Sequence, residues 1–97
     1  MTTYFVTRHP GALAWANRQG LMIDRVVTHL DPAQIRPGDQ VIGTLPIHLV
    51  SQICAQGARF FHLTLNLPPE ARGQELSADD LEHYQAGLEE YYVEQQS

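Results

Sequence analysis

At 97 residues, the chain has room for one modest domain with a single core and too little for two. A hydrophobic content of 43% without long polar tracts argues against a disordered chain. The net charge of −5 argues against duplex nucleic acid as a partner, since such binding rests on a broad basic surface, and leaves open a small anion held in a local pocket.

The longest apolar runs fall far short of a membrane span. Met1-Thr2-Thr3-Tyr4 leads directly into a strand pattern with no basic-then-apolar signal, so a cytoplasmic protein with no membrane partner is expected. Thr3 to Thr7, rich in β-branched and aromatic residues, reads as the first strand. Pro10 suits the first turn of a helix from about Gly11 to Gln19, which Gly20 stops. Trp15 lies away from the Leu13/Ala16 side of that helix, and core packing is favoured for it over an interface. Arg25 to Leu30 is the second strand, and Asp31 to Arg36 suits a short helical turn. After the turn signal Pro37-Gly38-Asp39, the third strand is Gln40 to Gly43.

The second helix runs from Leu45 or Pro46 to about Gln56, with an apolar stripe of Ile47, Val50, Ile53 and Cys54 and a stop at Gly57. Cys54 on that stripe reads as a buried thiol; as the only cysteine, it has no partner for an internal disulfide. Arg59 to Leu65 is long and apolar enough for a central strand, and Asn66 to Leu76, with Pro68, Pro69 and Gly73, reads as a loop. Ser77-Ala78-Asp79-Asp80 resembles a capping box opening a third helix, whose buried stripe is Leu81, Tyr84, Leu88 and Tyr91. The pattern predicts one α/β domain over residues 1–97, a mainly parallel sheet flanked by helices.

In such sheets ligands bind beyond the carboxyl ends of the strands. Thr7, Arg8, His9, His29, Gly43, Thr44 and Asn66 fall there, with Arg72, Gly73, Gln74 and Glu75 in reach. Two strand-to-helix junctions, Thr7 to Gly11 and Gly43 to His48, aim helix N-termini at this rim, which suits phosphate. Arg8 can grip two phosphate oxygens, with a surface salt bridge as the plain alternative. His9 would take a helix N-cap, where Ser, Thr, Asp or Asn is preferred. His48 falls off the apolar stripe, alongside Gln52, and the helix dipole favours its neutral form, which suits a general base. His29 reads as packing or hydrogen-bonding at a strand end, His62 as structural inside a strand, and His83 as surface. Arg72 and Glu75 form either an ion pair closing their loop or a lid. No two histidines have metal-ligand spacing with a carboxylate partner, and neither a Walker A sequence nor a dinucleotide fingerprint occurs. Neither a metal nor another cofactor is expected.

Thr3-Tyr4-Phe5-Val6-Thr7-Arg8-His9-Pro10-Gly11-Ala12, the strand Asp24 to Asp31, Pro37-Gly38-Asp39 leading to Gly43-Thr44-Leu45-Pro46, and Arg72-Gly73-Gln74-Glu75-Leu76 together resemble the Csx-sixteen family of CRISPR-associated accessory proteins. The likeness covers nearly the whole chain. It implies a small homodimeric ring nuclease of Rossmann-like, CARF-related architecture, working in type III CRISPR systems, that binds and opens cyclic tetra-adenylate without a metal. On that reading His48 or His9 is the acid/base, Arg8 and the Thr44 backbone hold phosphate, and Arg72 is a lid contact. Thr7, Gly43, Leu45, Pro46, Asn66, Gly73 and Glu75 complete the ligand rim. A binder that only sequesters the same messenger, and an unrelated nucleotide or phosphometabolite binder, are the alternatives.

Overall fold

The computed structural model describes residues 1–96. The strands are β1 (Thr3–Val6), β2 (Arg25–Val27), β3 (Gln40–Gly43), β4 (Arg59–Thr64) and β5 (Gly87–Tyr91), and the helices α1 (Pro10–Arg18), α2 (Ile47–Ala55) and α3 (Ala78–His83). Short 3-10 turns occupy Pro32–Gln34, in the segment expected to hold a helical turn, and Pro69–Ala71, within the expected loop. The strands form one sheet in the order β2-β1-β3-β4-β5. The first four run parallel, and β5 lies antiparallel to β4. This is an α/β fold with a mainly parallel sheet, as expected; β4 is interior, although the middle position belongs to β3.

Alternation along the strands builds a core on each face. Tyr4, Val41 and Phe60 pack with Val50, Ile53 and Cys54 of α2, while Phe5 and Ile42 pack with Ala12, Trp15 and Ala16 of α1 and Leu81 of α3. Phe5, Val41 and Ile53 are the largest fully buried side chains, each contributing about 1.5–3 kcal/mol. Trp15 belongs to the core, and Cys54 is a buried free thiol. Ile47, read as part of the α2 stripe, is instead 71% exposed; it is the first residue of the helix, beyond the sheet's edge of cover.

The C-terminal quarter departs from the sequence reading. The capping box forms in full: Asp80 N–H donates to Ser77 Oγ (3.1 Å) and Ser77 N–H to Asp80 Oδ2 (3.0 Å). The helix then stops at His83, Gln85 takes a left-handed φ of 61°, and Gly87 to Tyr91 return as β5. Leu81, Tyr84, Leu88 and Tyr91 therefore do not form one helical stripe. Pairing with β4 supplies partners for backbone groups of that strand, an advantage a longer helix could not offer. The register is reinforced by a two-pronged ion pair, Arg59 Nε to Glu90 Oε2 and NH2 to Oε1, both 2.8 Å, with the guanidinium over the Phe61 ring. The Arg59 hydrogen bond holds the Glu90 carboxyl below its ordinary range, but such an exposed pair contributes little to stability.

Asp39, noticed in the sequence only as part of a turn, joins three segments. Its Oδ1 accepts from Thr2 N–H and its Oδ2 from Arg36 N–H, each at 2.9 Å, and its carbonyl accepts from Arg59 N–H. Burial pushes this carboxyl's pKa up, but the donors of Arg36 and Thr2 outweigh burial and hold it below its ordinary 3.8. A depressed folded-state value means stability that is present above pH 3.8 and lost as pH falls through the lowered value. Asp39→Ala is expected to cost about 1.5–3 kcal/mol at neutral pH, the worth of hydrogen bonds to a charged acceptor. Urea unfolding at pH 7 and pH 3 checks this: the gap between variant and wild type narrows in acid, and an equal gap at both pH values contradicts it.

Candidate functional site

Strand direction places the site. The carboxyl ends of β1, β2, β3 and β4 share one edge of the sheet, and α1 and α2 leave the neighbouring strands β1 and β3 onto opposite faces. The crevice between them is the topological switch point at which α/β sheets bind ligands. An open cavity of about 980 Å³ lies there. Its lining is mixed: Thr7, Arg8 and His9 after β1, Thr28 and His29 after β2, and Thr44 after β3 bring polar groups, and Leu30, Leu45, Leu49, Leu63, Leu65 and Leu67 bring apolar ones.

The β1–α1 junction is fixed by its own backbone. Thr7 N–H donates to Val27 O (2.9 Å), and His9 N–H donates to Thr7 Oγ1 (3.1 Å). His9 is the N-cap of α1, yet its side chain makes no capping bond, leaving the imidazole free for other work. Neither α1 nor α2 has an acidic residue in its first turn, so no carboxylate of their own offsets the positive helix ends. The opposite rim comes from Gly73, Gln74, Glu75 and Leu76, held against α1 by a close approach that sequence reasoning missed. A Cβ on Gly11 would overlap Leu76 O and lie 2.8 Å from Ser77 Cα. The unused signal was a glycine one residue inside a helix, where its helix propensity is poor.

The expected site residues therefore divide. Thr7, Arg8, His9, Thr44, Leu45, Pro46, Gly73 and Glu75 all line the cavity. His48 does not. Helical phase explains this: Leu49 of α2 faces the cavity, which Leu45 and Pro46 line ahead of the helix, while His48, Ser51, Gln52 and Ala55 face a second groove of about 750 Å³ lined also by Tyr92 to Gln95. Gly43 is also absent from the lining; its close approach is to β1, with a would-be Cβ 2.7 Å from Val6 O and φ of 151°. Asn66 turns outward, its amide donating to Gln85 Oε1 at 2.6 Å. Arg72 is exposed and off the cavity wall. Ion pairs among the described residues join Arg18 to Asp79 and Glu82, and Arg59 to Glu90, so Arg72 and Glu75 do not close their loop electrostatically. His29, read as packing or hydrogen-bonding at a strand end, is exposed on the cavity wall. His62 packs between Phe60 and Tyr91 at 6.0 Å from each ring, and His83 is exposed at the end of α3.

Among the described residues no helix is long and apolar enough to cross a membrane, and no three potential metal-ligating side chains gather. Residues 4–94 match the family described as "Putative CRISPR-associated protein (Cas_VVA1548)". No curated protein and no solved structure matches the chain.

Proposed function

We propose, on the premise that this chain belongs to that family of CRISPR-associated proteins, that it is a ring nuclease which binds and opens cyclic tetra-adenylate and so silences type III CRISPR signalling. The observation that carries this reading is the open cavity at the strand ends, lined by both polar and apolar side chains. Its arginine, imidazoles and hydroxyls suit a phosphodiester, and its leucines suit the faces of bases. This is local recognition of an anion by a protein whose net charge is −5, with Arg8 as the gripping cation.

Cleavage requires the 2′-oxygen to form a bond to phosphorus as the bond to the 5′-oxygen breaks. His9 is the member of the His9/His48 pair that lines the cavity and is the group assigned to proton transfer. Arg8, Thr44 and the start of α1 hold the phosphate and meet the charge of the transition state. The products are a linear oligoadenylate with a 2′,3′-cyclic phosphate at one end and a 5′-hydroxyl at the other. A ring with two-fold symmetry fits a homodimer that presents the same rim twice.

Incubation with cyclic tri-, tetra- and hexa-adenylate, with and without EDTA, followed by mass analysis of the products, tests the reading. Expected are selective loss of the tetra-adenylate ring, cyclic-phosphate ends, and an unchanged rate in EDTA, since metal-free alignment and proton transfer suffice. Tight binding without turnover identifies a sequestering protein. Loss of activity in EDTA restored by a divalent ion overturns the metal-free mechanism.

A further inference from the structure

Transesterification at phosphorus moves two protons, one off the attacking 2′-oxygen and one onto the departing 5′-oxygen, so one imidazole leaves half of the chemistry unassigned. The chain has five histidines. His48 faces the second groove, His62 is packed between aromatic rings, and His83 sits at the end of α3. The remaining two, His9 and His29, both line the cavity and are both exposed to it.

Register brings these two together. β1 and β2 are parallel neighbours with Val6 opposite Val27, and Thr7 N–H is bonded to Val27 O, so the two segments leave the sheet side by side. His9 follows Val6 by three residues and His29 follows Val27 by two. Neighbouring strands lie about 4.8 Å apart where Val6 faces Val27, and both histidines line the cavity that opens just beyond that pair. The other charged side chains on this cavity are Arg8 and Glu75.

We infer that His29 is the second proton-transfer residue, working with His9 on the phosphodiester that Arg8 holds. The inference rests on the nuclease reading of the cavity and completes its chemistry. One imidazole, neutral, accepts the 2′-hydroxyl proton as the new oxygen–phosphorus bond forms. The other, protonated, gives its proton to the 5′-oxygen as that bond breaks. The pair ends the step with its protonation reversed and with no external reagent consumed. Such a couple is active only between the two titrations, giving a bell-shaped dependence of rate on pH.

Two measurements on the full chain test it. In the first, the histidine side chains are titrated by NMR with and without inorganic phosphate. The midpoints of His9 and His29 are expected to rise together, while those of His48, His62 and His83 hold still; an unmoved His29 overturns the inference. In the second, cyclic tetra-adenylate cleavage is followed in single turnover for wild type and His29→Ala across pH. Ligand affinity is expected to stay within a few fold, the rate to fall by about 10²–10⁴, and one limb of the bell to disappear. A wild type that cleaves and a His29→Ala that cleaves equally well overturn the role of His29 and leave the nuclease reading standing. A wild type that cleaves no cyclic oligoadenylate overturns both the nuclease reading and the catalytic role, and the phosphate titration then shows separately whether the histidines share an anion.

Discussion

Arg8→Ala is expected to weaken binding of cyclic tetra-adenylate and to slow its cleavage together, whereas His9→Ala is expected to spare binding and lower the single-turnover rate by about 10²–10⁴. The difference follows from what each side chain offers. A guanidinium on the cavity wall grips phosphate oxygens in the ground state and the transition state alike, a charged hydrogen bond worth about 1.5–3 kcal/mol in both. The imidazole at the N-cap makes no capping bond, so its removal costs the fold little and acts on the proton-transfer step. Parallel affinity and rate measurements separate the two. A His9→Ala rate equal to wild type would remove proton transfer from His9, and an Arg8→Ala affinity equal to wild type would remove Arg8 from the phosphate.

The second large effect is structural. Gly11→Ala places a methyl group where Leu76 O already lies and within 2.8 Å of Ser77 Cα. Both obstacles are backbone, so the start of α1 or the 76–77 segment must shift, at a cost of about 3 kcal/mol, the upper end of the range for overpacking. Because Gly73 to Leu76 form one rim of the cavity, the same displacement is expected to weaken ligand binding. Gly73→Ala is the contrasting case. Its φ is 81° with nothing within 4 Å of the added methyl, so the penalty is local strain of about 1–2 kcal/mol. Urea unfolding and ligand affinity measured on both variants check the argument, and a Gly11→Ala protein as stable and as tight-binding as wild type refutes it.

The parts of this architecture written into local sequence were readable. Pro10 at the first position of α1, with Gly20 (φ 74°) beyond its end and Gly57 (φ 92°) beyond the end of α2, follows from backbone preference alone. The β1–α1 junction is likewise local, and Thr7, Arg8 and His9 fell where the strand-to-helix pattern put them. The failures were non-local. Leu88 and Tyr91, spaced by three, fit a helical stripe and fall on opposite faces of a strand; the strand is chosen by β4, whose backbone groups need partners. His48 was assigned to the rim because it lies in the first turn of α2, but which side of a short helix faces a crevice is fixed by packing on the sheet. His29 was undervalued for a related reason. It was placed at the rim but read as packing or hydrogen-bonding at the end of a six-residue strand, whereas β2 has three residues and His29 lies beyond it, exposed on the cavity lining.

The reversal at Gln85 has a practical side. Because β5 runs against β4, Tyr91 lies opposite Phe60 at the same edge of the sheet from which Thr3 starts upward beside Gln40. Thr3 and Tyr91 thus both lie at the foot of the strands, with the length of the sheet between them and the cavity. An affinity tag, a fluorophore or a fused partner attached ahead of β1 starts from the side of the sheet away from the mouth of the site, so protein immobilised or labelled there can be used for ligand measurements.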